Sequence, residues 1–146
     1  EALHQRYDIG VDLWSATSYK ALREDALAAE RWNRLHPSQT PRTPIVAEVL
    51  GATQGPIVAV TDFMKIVPEQ IARWLPDRQF TPLGTDGMGR SDTREALRRF
   101  FEVDEGHVVV AVLSALAARG DVDADLVTKA IAEYDIDPDS VDPYLV

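Results

Sequence analysis

The stretch from Leu83 to Asp104, LGTDGMGRSDTREALRRFFEVD, places three glycines and several charged side chains in a turn that opens directly onto a helix. The glycines permit positive φ angles or a close approach of one backbone to another. The charged side chains in and just after the turn are Asp86, Arg90, Asp92 and Arg94. We expect Asp86, Arg90 and Asp92 to form hydrogen bonds that fix the turn, as in a structural or interface loop.

The residues after the turn predict an amphipathic helix. Asp92 is suited to be its N-cap, with the carboxylate accepting from the N–H of Arg94 or Glu95, and Glu95 then completes a pair that resembles a capping box. Apolar side chains recur at helical spacing on one face, at Ala96, Leu97, Phe100 and Phe101. The helix should therefore pack through this stripe and leave its arginines toward water.

The glycine turn could instead bind a small anion, because free N–H groups and the helix dipole favour negative charge at a helix N-terminus. The spacing argues against this alternative, since G-x-x-G-x-G is neither the dinucleotide fingerprint nor a P-loop. Asp92 also occupies the position that an anion would need. A structural or interface loop is the preferred interpretation, with a small-anion site as the alternative.

Length and composition predict one globular domain, residues 1–146, with 45% hydrophobic residues. The net charge of −9 disfavours nucleic acid and anionic membranes as partners. The absence of cysteine excludes disulfides, thiolate metal sites and a cysteine nucleophile. The sequence shows neither a long apolar run nor a signal peptide, which predicts a cytoplasmic protein. Because the chain opens with Glu1 inside a helical pattern, we expect it to be truncated at its N-terminal end.

Negative charge is concentrated in the last part of the chain. From Asp121 onward Lys129 is the only cation, and the acids are Asp121, Asp123, Asp125, Glu133, Asp135, Asp137, Asp139 and Asp142. Such a segment is typical of a solvated surface. The alternative is an acidic interaction module that docks a basic partner.

Alternating strands and helices predict an α/β fold, arranged as a three-layer α/β/α sandwich with a mostly parallel mixed sheet. Strands are expected from Val11, at Ile57–Val60 and at about Gln79–Leu83. The second strand is continuously apolar and should be buried on both faces, whereas Pro82 should confine the third to an edge. Asp62 follows the second strand at the carboxyl end, where functional crevices occur, but we expect it to cap the next turn.

Helices are predicted at Tyr19–Leu35 after a Thr17 or Ser18 cap, at Thr43–Leu50 before Gly51, from Pro68 to Leu75, before the C-cap Gly120, and after the cap Asp123. The helix before Gly120 has a valine-rich start that is also typical of a strand. Its length and its i, i+3, i+4, i+7 spacing favour a helix.

No residue pattern predicts chemistry in this chain. The histidines His4, His36 and His107 lie far apart and have no carboxylate at ligand or triad spacing. No serine lies in a G-x-S-x-G elbow, and the C-terminal acids lack the spacing of a calcium loop. The sequence therefore predicts no catalytic, cofactor-binding or metal-binding residue.

The loop also carries a family resemblance. GTDGMGRSDTREALRRFFEVD is similar to the C-terminal region of the homodimeric, acetyl-transferring type of pyruvate dehydrogenase first component. Further similar strings occur in the same order, namely DLWSATSYKAL (Asp12–Leu22), ERWNRLHPSQTPR (Glu30–Arg42), VTDFMK (Val60–Lys65) and DIDPDSVDPYLV (Asp135–Val146). The resemblance covers essentially the whole chain and implies a transketolase-like C-terminal domain of a longer oxidoreductase that acts on pyruvate, the product of glycolysis.

The resemblance further implies a domain that is not catalytic, helps to build the dimer and borders the entrance of the active-site channel. Thiamine diphosphate and Mg²⁺ would be held by other domains of the full enzyme, and this chain alone should bind neither and be inactive. The implied partners are the remaining domains, a second copy and the dihydrolipoyl acetyltransferase component. A family sheet of five strands would also place a strand from outside this sequence between those at Val11 and Ile57. We expect another polypeptide to supply it; otherwise these two strands pair or copies exchange strands.

Overall fold

A computed structural model describes all 146 residues. The helices are α1 Ala2–Tyr7, α2 Tyr19–Leu35, α3 Ile45–Gly51, α4 Ile66–Glu69, α5 Arg94–Phe100, α6 Glu105–Arg119 and α7 Ala124–Glu133. The strands are β1 Ile57–Val60 and β2 Phe80–Leu83, and short 3-10 helices occupy Ala72–Trp74 and Pro143–Leu145. This combination confirms the predicted α/β class.

The sheet consists of β1 and β2, which pair in parallel. The N–H of Ile57 donates to the Gln79 carbonyl at 2.8 Å, and the N–H of Thr61 donates to the Leu83 carbonyl at 2.9 Å. Because donors alternate along a strand, the nitrogen of Pro82 faces away from β1. The prediction that proline confines this strand to an edge is confirmed, and each strand keeps one free edge.

Two strand predictions are wrong. The segment around Val11 forms no strand, and Val11, Leu13 and Trp14 are 56%, 94% and 56% exposed. A strand requires a ladder partner, and β1 pairs only with β2. The prediction that β1 is buried on both faces also fails, because only Ala59 is buried and Val60 is 44% exposed. A sheet of two strands is too narrow to be covered on both sides.

Most helices match the predicted positions. Ser18 caps α2 by accepting from the N–H of Ala21 at 3.1 Å, and α3 follows Pro44 and ends at Gly51. The helix predicted from Pro68 to Leu75 is instead broken into α4 and a 3-10 turn. Nε2 of Gln70 donates to the Val67 carbonyl at 2.9 Å, which occupies the acceptor that a continuing α-helix would use.

The valine-rich segment is the helix α6, as predicted. Asp104 caps its start by accepting from the N–H of His107 at 2.9 Å, and Gly120 ends it with φ of 79°. α6 packs against α7 and against both strands. Gly106 lets the α7 end approach closely, since a Cβ atom at this position would lie 2.9 Å from Cβ of Tyr134.

Buried apolar side chains form two separate clusters. The first joins α1, α6 and α7 and contains Leu3, Val109, Leu113 and Ala130. The second joins α3 to the α4 region and contains Val46, Ile71 and Leu75. The glycine-rich turn, residues 84–93 and here called the glycine loop, follows β2 and leads into α5.

Candidate interaction surface at the glycine loop

The glycine loop begins in close contact with the segment that follows β1. A Cβ atom on Gly84 would lie 2.5 Å from the Phe63 carbonyl oxygen and 2.9 Å from the Lys65 nitrogen, so only glycine fits without displacement. The N–H of Thr85 donates to the Phe63 carbonyl at 2.9 Å, and its hydroxyl donates to the Asp62 carbonyl at 2.9 Å. These contacts hold the segments that follow the carboxyl ends of β1 and β2 together.

Asp86 continues this connection. Its Oδ2 atom accepts from the N–H of Lys65 at 3.0 Å, as the predicted hydrogen bond of Asp86 requires. The prediction that Asp62 caps the turn after β1 is wrong, because its carboxylate accepts no hydrogen bond there. The hydroxyl of Thr61 takes that role and accepts from the N–H of Phe63 at 3.2 Å.

Gly87 brings the C-terminal segment onto the loop. Its φ angle of 105° lies in a region that favours glycine, and a Cβ atom would overlap the carbonyl of Pro143. The 3-10 helix at this end is held by Asp142, whose Oδ1 atom accepts from the N–H of Tyr144 at 2.9 Å. No pattern in the sequence predicts this contact, because the two segments are far apart along the chain.

The predicted cap of α5 is displaced by one residue. Thr93 is the N-cap, and its hydroxyl accepts from the N–H of Ala96 at 3.2 Å. Asp92 accepts instead from the N–H of Thr93 at 2.7 Å, so its predicted bond to Arg94 or Glu95 is absent. Asp and Thr are both good caps, and here Thr93 has the extended conformation that a cap requires. Glu95 then lies too early for a capping box.

Arg90 of the loop and Arg94, the first residue of α5, form no hydrogen bond or ion pair within the chain. The guanidinium carbon of Arg90 lies 4.1 Å from the centroid of the Phe100 ring, so the predicted hydrogen bond is replaced by a cation–π contact. Arg94 is exposed at the start of α5. Evidence for the predicted interface role must therefore come from the side chains around the loop.

Exposed apolar side chains surround the loop. They are 54–74% exposed and form what we call the apolar rim, consisting of Phe63, Met64, Ile66, Met88, Tyr144 and Leu145. The backbone contacts of Gly84 and Gly87 bring the segments that carry Phe63, Met64 and Tyr144 against the loop. Exposed apolar side chains on neighbouring segments are typical of an interaction site in soluble proteins. The string FMKI (Phe63–Ile66), two residues after the end of β1, is the sequence signal that could have indicated this surface.

The strongest polar cluster lies at the α6 N-terminus. The Asp104 carboxylate accepts from Nδ1 of His107 at 2.6 Å and from Nη1 of Arg99 at 3.3 Å. Burial would raise the pKa of Asp104, but these bonds and the His107 N–H outweigh it and hold the pKa below its ordinary value. The Asp–His pair lacks a nucleophile, because no hydroxyl bonds to His107. The cluster therefore fixes the junction of α5 and α6.

Tyr7 and Glu133 form a second polar contact, between α1 and α7. The Tyr7 hydroxyl donates to Glu133 at 2.7 Å. Burial and this hydrogen bond raise the pKa of Tyr7 to about 12.

No three His, Asp or Glu side chains are grouped closely enough to hold a metal ion. None of the helices has both the length and the apolar character needed to cross a membrane.

The profile of the transketolase-like TK C-terminal domain family matches residues 1–104. The chain therefore belongs to this family of domains. Its elements agree with the assignment, since a parallel β1–β2 pair lies among helices.

Curated relatives specify the similarity further. The chain is 52% identical over 141 residues to the pyruvate dehydrogenase E1 component of Pseudomonas aeruginosa, covering 97% of the chain and 16% of that protein. It is 48% identical over 145 residues to the E1 component of Escherichia coli K12, with 99% and 16% covered. The E1 component of Mycobacterium tuberculosis is 43% identical over 137 residues, with 94% and 15% covered. The chain thus spans about a sixth of the length of these relatives, and its predicted resemblance to the first component is confirmed.

Proposed function

We propose that this chain is the non-catalytic C-terminal assembly domain of a pyruvate dehydrogenase E1 component. The enzyme would decarboxylate pyruvate with thiamine diphosphate and transfer the acetyl group to a lipoyl carrier. Membership in the family and 43–52% identity to E1 components of three bacteria support the assignment. The apolar rim around the glycine loop is the observation that carries the assembly role.

The rim fits a permanent interface. Phe63, Met88 and Leu145 are 68%, 74% and 74% exposed. Burial of such side chains stabilises an association by roughly 1.5–3 kcal/mol each before the costs of binding. The backbone beneath them is fixed by Gly84 and by the Asp86–Lys65 hydrogen bond, so little ordering is required on contact. This surface would pack against the remaining domains or the second subunit of a homodimer.

The sheet offers a second place for assembly. The free edge of β1 presents unpaired N–H and C=O groups, and the exposed segment from Val11 to Trp14 has the composition of a strand. We propose that another part of the assembly adds a strand between them. Each backbone group that is buried without a partner would cost about 1–3 kcal/mol, which favours such a pairing.

The side chains of this domain do not fit thiamine diphosphate and Mg²⁺. No grouping of three carboxylates or histidines could hold the ion, and the cap position before α5 carries Asp92 and Thr93, which would oppose a diphosphate. We therefore infer that other domains of a cytoplasmic enzyme bind the cofactor and carry the catalytic residues. The dihydrolipoyl acetyltransferase component would be the next partner in the complex.

The alternative of an acidic docking module finds less support, because several of the C-terminal acids have structural partners. Asp123 caps α7 and Asp142 caps the last 3-10 helix. Glu133 accepts from Tyr7, and Asp121 pairs with Arg119 at 2.8 Å.

The experiment compares two charge insertions in the intact protein. Phe63→Asp should dissociate the assembly and abolish pyruvate decarboxylation, because the new charge would be buried at the interface. Val49→Asp is the matched control, since Val49 is a less exposed apolar residue, 38% exposed, on α3 outside the rim. Sedimentation and activity measure the two outcomes. An assembled, active Phe63→Asp protein would show that the rim is not an assembly surface.

A further inference from the structure

A three-layer stack of side chains lies at the C-terminal end of α2. The ring of His36 stacks on Trp32 with centroids 3.6 Å apart and planes inclined by 14°. The guanidinium carbon of Arg42 lies 3.6 Å from the centroid of the same indole. Two groups at this distance cannot share one face, so the indole is held between the imidazole and the guanidinium.

The backbone of Arg42 is fixed independently. Its N–H donates to Oδ1 of Asn33 at 2.7 Å, and its carbonyl accepts from Nδ2 of Asn33 at 2.9 Å. His36 is oriented by two contacts to the Trp32 carbonyl, from its N–H at 2.9 Å and from Nδ1 at 3.0 Å. The main chain of Arg42 is therefore held by Asn33, and its guanidinium group lies against the Trp32 ring before any ligand binds.

The donors of this guanidinium are unused within the chain. Arg42 is exposed, and its side chain forms no hydrogen bond or ion pair. Other arginines use their donors within the chain. Arg78 donates to the carbonyls of Leu50 and Thr53 at 2.6 and 2.8 Å, and Arg73 donates to Glu30. An exposed guanidinium packed over an aromatic ring keeps its N–H donors available, which suits bidentate binding of a carboxylate.

The stretch of sequence that carries the stack is basic, whereas the whole molecule is acidic. Residues 31–47 contain Arg31, Arg34 and Arg42 but no acid, in a chain of net charge −9. The preceding acid, Glu30, accepts from Arg73 at 2.6 Å and from Nε1 of Trp74 at 2.8 Å. These hydrogen bonds lower the pKa of Glu30 and direct its charge toward Arg73.

We propose that the Trp32–Arg42 stack is a docking point for an acidic segment of a protein partner, whose Asp or Glu carboxylate binds the Arg42 guanidinium edge. The stack removes most of the ordering cost that a free arginine would incur on binding. A phosphate ligand fits less well, because the stack offers a single fixed cation to the two negative charges of a phosphate dianion.

The test measures binding of a fluorescent peptide rich in aspartate and glutamate to the intact protein, with the corresponding asparagine and glutamine peptide as the neutral control. The wild type should bind the acidic peptide in a salt-sensitive manner. Arg42→Lys keeps the charge but loses the fork and should weaken binding by about tenfold or more, as for other arginine hot spots. Asn33→Ala should weaken it as well, because Asn33 positions Arg42.

Arg23→Gln is the control, since Arg23 is an exposed arginine on α2 without an ion pair, and the binding of this variant should equal that of the wild type. Circular dichroism of each variant confirms folding. The proposal is overturned if the wild type does not bind the acidic peptide, if the neutral peptide binds equally, or if Arg42→Lys binds like the wild type. Displacement of the peptide by an equal concentration of inorganic phosphate would assign the site to phosphate and overturn it too.

Discussion

Replacing Gly87 by alanine should release the C-terminal 3-10 helix from the glycine loop. At φ of 105° an alanine costs about 1–3 kcal/mol in backbone strain. The added Cβ would also overlap the Pro143 carbonyl, whose carbon atom would be 3.0 Å away, and would lie 3.3 Å from Cα of Tyr144. The loop is fixed by Gly84 and Asp86, whereas the last 3-10 helix is a single turn, so the C-terminal segment should move.

Hydrogen exchange with mass spectrometry on the intact protein measures this release. The N–H groups of Tyr144 and Leu145 donate to Asp142 at 2.9 and 2.8 Å in the folded protein, and their exchange should accelerate in Gly87→Ala. Gly55→Ala is the matched control, because Gly55 has φ of 101° with nothing within 4 Å of the new Cβ. Gly55→Ala therefore has the backbone strain of a positive φ angle but no steric overlap with another segment.

Gly89→Ala adds a second control, with neither positive φ nor a neighbour within 4 Å. Only Gly87→Ala should alter exchange in residues 142–146. Unchanged exchange in Gly87→Ala, or equal acceleration in Gly55→Ala, would refute the proposed contact between the loop and the C-terminal segment.

Thr93→Ala should lower the free energy of unfolding by about 0.5–2 kcal/mol, and Asp92→Ala by less, because Thr93 caps α5; a larger loss for Asp92→Ala in urea unfolding would contradict this assignment. Asp104→Asn should destabilise the protein at neutral pH, since an amide cannot accept from both Arg99 and Nδ1 of His107. Because the pKa of Asp104 is lowered, its contribution is complete above the ordinary aspartate pKa of about 3.9 and is lost as pH falls through the lower folded-state pKa. Urea unfolding across this range should show the two proteins converging in acid, and a constant difference would be inconsistent with the pKa direction.

Local sequence patterns predicted the secondary structure correctly where the residues of one element determine its conformation. The i, i+3, i+4 spacing and Gly120 identified α6 despite its valines, because side chains on one stripe pack together on α7 and the sheet. The apolar run at β1 and the Pro82 edge effect were also predictable, since both depend on properties of single strands.

Predictions failed where two neighbouring residues can play the same role, or where a segment distant in sequence determines the local structure. Asp92 and Thr93 are adjacent residues that can both cap a helix, and the sequence does not reveal which one adopts the extended conformation. Val11 has the composition of a strand, but a ladder needs a partner that composition cannot supply. The sequence predicts the glycine loop as a structural or interface loop, whereas its contact with Pro143 and the apolar rim depend on the approach of segments that are distant in sequence.

The contact between Gly106 and Tyr134 limits how position 106 can vary in inheritance. A Cβ atom at 106 would lie 2.9 Å from Cβ and 3.0 Å from Cγ and Cδ1 of Tyr134, so even a methyl group requires the end of α7 to move away from α6. Every residue except glycine carries a Cβ atom, so exchange of the tyrosine alone would leave the closest contact in place. Variation at position 106 therefore depends on the spacing between the two helices, and a substitution there requires a change in how α7 packs on α6.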